Sequence, residues 1–310
     1  MTTYYYADPA FLEHNTGPHH PECAARLKAI TETLAGAEFD ALVRRQAPRA
    51  RDCELSLMHP KPFVDRILSA EPVQGLVHLD PDTVMSPGSG DAALRAAGAV
   101  CAAVDAIITG EAMNAFCAVR PPGHHAEASQ AMGFCLFNSV AIAAEHARAS
   151  HGLSRVAVVD FDVHHGNGTQ ALFWEREGLF YGSTHQYPCY PGTGASDERG
   201  AFGNVANAPL APGSGSAEFR DAMQSRILPA LDKFEPELVL VSAGFDAHWR
   251  DPLAQLNLDE DDYTWVTAEL MALADLHAEG RLVSALEGGY DMQGLAASVA
   301  AHVAQLMTAS

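Results

Sequence analysis

Apolar runs of strand length alternate along this chain with longer segments of helix length. The runs VAVV at 156–159 and LVLV at 238–241 are apolar at every position, which is typical of strands buried on both faces of a parallel sheet. The predicted strands are Asn114–Val119, Arg155–Asp160, Leu179–Ser183, Leu238–Ser242 and Arg281–Leu286. The predicted helices are Pro21–Leu34, Asp91–Thr109, Phe134–Ser150, Ala217–Phe234, Asp259–Ala278 and Met292–Met307, with Asp91 and Asp259 as candidate N-caps.

Alternation of strands and helices predicts an α/β fold with a parallel central sheet. The Gly/Pro-rich segments are short and are interpreted as loops within one domain, so residues 1–310 are expected to form a single domain. Ligands of open α/β sheets bind beyond the carboxyl ends of the strands. The candidate chemistry is therefore sought at the strand ends.

The net charge of the chain restricts the classes of molecule that it is expected to bind. The chain has 39 acidic and 19 basic residues, a formal net charge of −20, so we expect it to repel nucleic-acid backbones and anionic membranes. Basic or neutral substrates are favoured. The six cysteines form no C-x-x-C pair, and no secretion signal or uninterrupted apolar run of 18 residues is visible, so a cytoplasmic protein without disulfides is expected.

The sequence DFDVHHGNG at 160–168 directly follows a predicted strand. If the chain stays extended, Asp160, Asp162 and His164 alternate onto one face. This set of oxygen and nitrogen donors suits a divalent metal such as Zn²⁺ or Fe²⁺, and the alternative is a polar loop of hydrogen-bonded side chains. Asp246 follows Leu238–Ser242 and is a candidate third ligand, although an isolated Asp after a strand is more often a turn or cap residue.

Two further strand ends carry polar groups. Adjacent His124 and His125 lie in a Gly/Pro-rich loop and suit proton transfer, with a surface histidine pair as the alternative. Tyr290 follows Gly288 and Gly289, which allow an unusual backbone path, and the alternative is an ordinary turn beside a packing Tyr. Together these groups indicate metal-assisted hydrolysis of a carbonyl compound.

The motifs, taken in order, resemble the zinc-dependent histone deacetylase superfamily, which includes bacterial class II-like histone deacetylases and acetylpolyamine amidohydrolases. The resemblance implies a three-layer α/β/α arrangement with the active site at the carboxyl ends of the strands. It spans nearly the whole chain and rests on HPE at 20–22 with RL at 26–27, RPPGHH at 120–125, GFCLFN at 133–138, DFDVHHGNG at 160–168, STH at 183–185, GTG at 192–194, GFD at 244–246 and GY at 289–290.

The resemblance implies roles for individual residues. The zinc ligands would be Asp162, His164 and Asp246. His125 resembles the general base, with Asn167 as its partner. His124 resembles the second histidine, oriented by Asp160, and Tyr290 resembles the tyrosine that polarises the substrate carbonyl. A structural potassium ion is also implied, with the ligands Asp160, Asp162, His164, Ser183 and Thr184.

Other positions bear on the substrate. The substrate-binding residues implied by the resemblance are Gly133, Phe134, Tyr190, Leu253 and Gly289. Asn167 and Glu287 resemble the class II pattern. Leu253 stands where polyamine-selective members have a glutamate, which favours acyl-lysine proteins or peptides over acetylpolyamines. The alternatives are an acetylpolyamine or another small N-acyl amine as substrate, or a non-catalytic binding protein on the same scaffold.

The remaining histidines are less informative. Those at positions 14, 19 and 20 form an N-terminal group that either holds a loop, the favoured interpretation, or binds a further metal. Six more show no partner in the sequence and are assigned no role: His59, His78, His146, His151, His277 and His302.

Overall fold

A computed structural model of the chain describes residues 2–309. Its centre is an eight-stranded sheet in the order β2-β1-β5-β10-β9-β6-β7-β8, in which every neighbouring pair is parallel. The strands, including the separate antiparallel pair β3–β4, are β1 (Thr3–Ala7), β2 (Val43–Gln46), β3 (Val77–His78), β4 (Val84–Met85), β5 (Asn114–Cys117), β6 (Val156–Asp160), β7 (Leu179–Gln186), β8 (Val205–Leu210), β9 (Leu238–Ala243) and β10 (Leu282–Leu286).

Helices cover both faces of this sheet. From β5, the Asn114 side chain bonds to the carbonyl of Leu306 in the last helix, whereas the Cys117 thiol points to the carbonyl of Ala99 in the fourth helix. Because side chains three residues apart in a strand point to opposite faces, these helices lie on opposite sides. The helices are α1 (Ala24–Thr33), α2 (Asp52–Leu55), α3 (Lys61–Ser69), α4 (Ser89–Ile108), α5 (Ser139–His151), α6 (Asn167–Phe173), α7 (Ser216–Ala222), α8 (Leu228–Phe234), α9 (Glu260–His277) and α10 (Met292–Leu306).

The predicted α/β fold with a mainly parallel sheet is confirmed, and all five predicted strands form its centre. Three strands of the main sheet were not predicted: β1, β2 and β8. The sequence VRRQ of β2 is exposed on an edge, and β8 contains a proline, so neither has the apolar run of a central strand.

Helix starts were predicted less well than helix positions. Asp259 caps α9 as predicted, since its side chain accepts hydrogen bonds from the Asp261 and Asp262 amides. The prediction for Asp91 is wrong, because α4 begins at Ser89 after Gly88. The start of the fifth helix is also wrong: residues 134–138 form a loop, and α5 begins after Asn138, whose side chain accepts from the Ala141 amide.

The order of the strands determines where the polar motifs meet. β5, β10, β9 and β6 are consecutive neighbours in the sheet and run in the same direction. Their carboxyl ends therefore lie side by side, and the four motifs that follow them come together at one edge. Within residues 2–309, no helix has both the length and the apolar character needed to cross a membrane.

His302 predicts a measurable acid sensitivity. It is buried between Thr267 and Ser284, and burial lowers its pKa to about 3. In the unfolded chain this histidine is protonated below about pH 6.5, whereas in the folded chain it stays neutral. Because only the unfolded state gains the proton, His302 lowers the stability of the fold as the pH falls below that value. Between pH 7 and 5 its contribution is a loss of about 2 kcal/mol in the free energy of unfolding.

Urea denaturation at the two pH values tests this expectation. Other groups add their own pH dependence, so the comparison is between the wild-type chain and the variant His302→Gln. The variant should lose about 2 kcal/mol less than the wild type on acidification. An equal loss in both proteins would show that His302 is not held neutral in the fold.

Candidate active site

Asp162, His164 and Asp246 converge beyond β6 and β9. The His164 Nδ1 atom lies 3.1 Å from an oxygen of Asp162 and 3.1 Å from an oxygen of Asp246. One donor atom from each of the three residues lies within 4.8 Å of the others. The predicted extended path is wrong: β6 ends at Asp160 and residues 162–164 form a bend, so the bend brings the ligands together instead of strand alternation.

Backbone amides fix these carboxylates. The Gly288 amide donates to Asp162 at 2.8 Å, and the Val163 amide donates to Asp246 at 2.8 Å. A Cβ atom on Gly288 would lie 2.1 Å from an Asp246 oxygen, so only glycine permits this close approach of the backbone. The orientation of both side chains is therefore set before any ligand binds.

The chemistry of this donor set fits a divalent cation. Burial, reinforced by the neighbouring Asp162 carboxylate, raises the pKa of Asp246. Two buried carboxylates in contact are costly without a compensating positive charge. Two carboxylates and one imidazole, with an open side, form the arrangement of a catalytic zinc site. These three residues could hold such an ion.

His125 is held as a neutral base. Its Nδ1 atom lies 2.8 Å from Oδ1 of Asn167, the first residue of α6, and the Asn167 amide nitrogen donates to Glu127 at 2.9 Å. Because that amide is used by Glu127, Oδ1 must accept from His125, which leaves the His125 Nε2 atom free of a proton. Burial, with the adjacent His124 and His164, lowers the pKa of His125 well below its usual value.

His124 has the opposite character. Its Nδ1 atom donates to Asp160 at 3.0 Å, and Tyr181 donates to the same carboxylate oxygen at 3.0 Å. Burial opposes the charged form, but the carboxylates of Asp160, Asp162 and Glu287 raise the pKa of His124 to about 10. A bound divalent cation would weaken this effect. The histidine pair thus combines one charged and one neutral imidazole.

A narrow cavity of about 230 Å³ opens above these groups. The predicted substrate-binding residues Gly133, Phe134, Tyr190 and Leu253 line it, together with Asp82, Pro122, His124, His125, His164, Gly288 and Tyr290. Gly289 is not part of this wall; its carbonyl accepts from Arg26 at 2.6 Å. Gly133 has φ +57°, and a Cβ atom there would lie 2.4 Å from the His125 ring, so this position needs glycine for two reasons.

Tyr290 faces the cavity from the β10 side. Its ring packs edge-on against Phe134 at 5.9 Å, and the Arg26 guanidinium lies 4.9 Å from its centre. The Tyr290 amide donates to Asp251 at 2.7 Å, which fixes the backbone. Burial raises the pKa of Tyr290, so its hydroxyl keeps its proton and can donate a hydrogen bond into the cavity.

The residues implied for potassium include two members of the triad, and the other three lie on the neighbouring strands β6 and β7. Asp160 pairs with Ser183 across β6 and β7, and both are buried. The next hydroxyl, Thr184 Oγ1, is buried without a hydrogen-bond partner in the described part of the chain. These oxygens could hold a monovalent cation, with Asp162 and His164 as the neighbouring implied ligands.

Glu287 and Arg26 hold the backbone beside His124 and Tyr290, a role that was not predicted from the sequence. Glu287 accepts from the amides of Gly123 and His124 at 2.6 and 3.2 Å, and burial raises its pKa to about 7. Arg26 donates to the carbonyls of Glu287 and Gly289. The available signals were the position of Glu287 inside a strand-end motif and that of Arg26 in the RL motif at 26–27, neither of which indicates the hydrogen-bond partners.

The N-terminal histidines hold loops. His14 bonds to Ser89 at 2.7 Å, and His20 bridges Glu22 and the Asp82 carbonyl. In residues 2–309, no group of potential metal ligands includes His14, His19 or His20. The favoured loop-holding interpretation therefore holds for His14 and His20.

The sequence and the structure of this chain are similar to those of known deacetylases. A model of the histone deacetylase domain matches residues 20–306. The chain is 41% identical over 313 residues to a histone deacetylase-like amidohydrolase of Pseudomonas aeruginosa, covering 93% of this chain and 81% of that protein. It is 39% identical over 307 residues to human polyamine deacetylase HDAC10, covering 93% and 45% respectively. The crystal structure of the HDA15 HD domain matches with a TM-score of 0.94 at 35% identity, covering 100% of this chain and 89% of that one.

Proposed function

The chain belongs to the histone deacetylase family, and from that premise we propose that it is a zinc-dependent hydrolase that removes acetyl or other acyl groups from the ε-amine of acyl-lysine. The observation that carries the proposal is the cavity lined by His125, His164 and Tyr290, with His164 also part of the cluster of potential metal ligands. A cavity of about 230 Å³ can admit part of a substrate, and it brings that part to the groups that hydrolysis requires.

His125 is the proton carrier in this proposal. Its free Nε2 atom removes a proton from the attacking water and later delivers a proton to the leaving amine nitrogen. Water and amide thus become a carboxylic acid and an amine. Asn167 holds the tautomer that this role requires, since it accepts from Nδ1 at 2.8 Å. His124, whose Nδ1 atom donates to Asp160, would stabilise negative charge that develops beside it.

Tyr290 is the oxyanion donor. Its hydroxyl remains protonated and donates to the substrate carbonyl oxygen as that oxygen gains negative charge. A zinc ion held by Asp162, His164 and Asp246 would act as a Lewis acid and lower the pKa of bound water toward neutrality. A potassium ion on Asp160, Asp162, His164, Ser183 and Thr184 would balance the buried negative charge behind them.

Residues 1–310 are proposed to form one catalytic domain. The support is that β1, near the start of the chain, lies beside β5, which in turn pairs with β10 from near its end. The site also combines residues from distant parts of the chain, from Arg26 to Tyr290. A fragment lacking either terminus would therefore lose part of the sheet that positions the site.

Acyl-lysine is favoured over acetylpolyamine because Leu253 lines the cavity. A polyamine carries a second cationic amine, and an aliphatic wall gives that charge no partner. The similarity to a relative named a polyamine deacetylase makes the polyamine the second candidate substrate. Asp82 is the acidic residue of the lining that could attract such a cation.

Acetate release from paired substrates tests the proposal. An acetyl-lysine peptide and N-acetylputrescine are assayed with purified protein before chelation, after chelation, and after zinc is restored. We expect activity to disappear with the metal, to return with zinc, and to favour the peptide in kcat/KM. Preference for the polyamine would overturn the substrate assignment. Absence of turnover on a broad panel of acyl amines, with zinc bound, would favour the non-catalytic alternative.

A further inference from the structure

A second cluster of potential ligands lies away from the active site, between α4 and α5. Asp105 belongs to α4, and His146 and His151 belong to α5. The Nε2 atoms of both histidines lie 2.6 Å from the same Asp105 oxygen, Oδ1. Among the described residues, only this cluster and the triad of Asp162, His164 and Asp246 bring three such donor atoms within 4.8 Å.

We propose that Asp105, His146 and His151 bind a second divalent transition-metal ion, of the zinc class. Two imidazoles and one carboxylate are a donor set that zinc and its first-row neighbours accept, with one or more positions left for water. Metal–ligand distances of about 2.0–2.1 Å and tetrahedral angles separate neighbouring ligand atoms by about 3.3 Å. The two Asp105–histidine distances of 2.6 Å need to lengthen by less than 1 Å to admit the ion, and all three donor atoms already lie within 4.8 Å of one another.

The cluster is held in place yet accessible. The His146 side chain is 2% exposed, and its Nδ1 atom lies 3.2 Å from Ser150 Oγ, a contact that orients the ring with Nε2 toward Asp105. The Asp105 side chain is 47% exposed and that of His151 is 20% exposed, so an ion can enter from solvent. The two imidazoles lower the pKa of Asp105 against the opposing effect of burial, which keeps it ionised.

This cluster is distinct from the catalytic site. His151 ends α5, just before β6 begins at Val156, whereas Asp160 ends β6 at the active-site edge. The four steps of about 3.3 Å from Val156 to Asp160 separate the two ends of this strand by about 13 Å. An ion at Asp105 would join α4 to α5 and stabilise the fold without touching substrate.

The alternative for the same geometry is purely hydrogen-bonded, with both imidazoles donating to one carboxylate oxygen. Metal stoichiometry separates the two. Protein is stripped with a chelator and titrated with Zn²⁺ and, for its visible spectrum, Co²⁺. The wild-type chain should bind two ions, and His151→Gln and Asp105→Asn should each bind one and retain peptide deacetylation. Asp162→Asn should lose the catalytic ion and keep the second.

His277 supplies a matched control, because its Nε2 atom lies 2.7 Å from Asp232 in a pair that belongs to no three-ligand group among residues 2–309. His277→Gln should bind two ions and keep the full zinc-dependent rise in melting temperature, whereas His151→Gln should keep only the part that the catalytic ion contributes. A single ion in the wild-type chain that Asp162→Asn loses and His151→Gln keeps, or two ions in a folded His151→Gln variant, would overturn the proposal. Neither result depends on activity, so failure here is separable from failure of the proposed deacylase function.

Discussion

Replacing His125 by alanine should lower kcat by about 10²- to 10⁴-fold, the range for loss of a positioned general acid–base group. The substitution removes the imidazole that supplies an unprotonated nitrogen, Nε2, to the cavity. The other nitrogen of this ring, Nδ1, donates to the Asn167 amide oxygen at 2.8 Å. His125 is not among the three clustered ligands, so the catalytic metal should remain bound. Acetate release under saturating acetyl-lysine peptide measures the effect, with metal content determined on the same sample.

The control for this variant is His302→Gln, which replaces another buried histidine with a lowered pKa that does not line the cavity. At neutral pH that variant should keep near-normal kcat. A His125→Ala variant that retains zinc and turns over at the wild-type rate would show that the base lies elsewhere. A fall in zinc content would instead assign His125 a role in metal binding.

The sequence predicted the elements of this site better than the path of the chain between them. Polar residues after four apolar runs were sufficient to select the correct edge of the sheet, because parallel strands place their carboxyl ends together. The order of strands β5, β10, β9 and β6 was not available from local pattern, since it depends on contacts between distant segments. The bend at residues 162–164 was missed for the same reason: the Gly288 amide, 126 residues away, holds Asp162 in place.

The glycines illustrate this limit. From the sequence, Gly288 and Gly289 have the same predicted role, which is to allow the unusual backbone path that orients Tyr290. In the structure they differ: Gly288 lines the cavity against Asp246, whereas the Gly289 carbonyl faces Arg26. Likewise, His146 and His151 had no partner in the sequence, because Asp105 lies on another helix, about 40 residues earlier. Tertiary proximity, rather than local pattern, gives each of these residues its chemical environment.

Replacing Tyr290 by phenylalanine should lower kcat by about 10²- to 10³-fold, the usual cost of losing one oxyanion donor. The ring packing against Phe134 and beside Arg26 is retained, so the cavity should keep its shape and KM should change little. The loss should therefore appear in kcat, because the hydrogen bond strengthens only as the substrate oxygen becomes negative. Saturation kinetics on an acetyl-lysine peptide measure both constants.

Tyr263→Phe is the matched control. Tyr263 is also fully buried and packs against Phe245, next to Asp246, but its hydroxyl has no hydrogen-bond partner in the part of the chain that the structure describes. Removing that oxygen should leave kcat near the wild-type value. If Tyr290→Phe also retained near-normal kcat with zinc bound, stabilisation of the oxyanion would have to come from His124 and the metal alone. A rise in KM with unchanged kcat would make Tyr290 a residue for substrate binding instead of transition-state stabilisation.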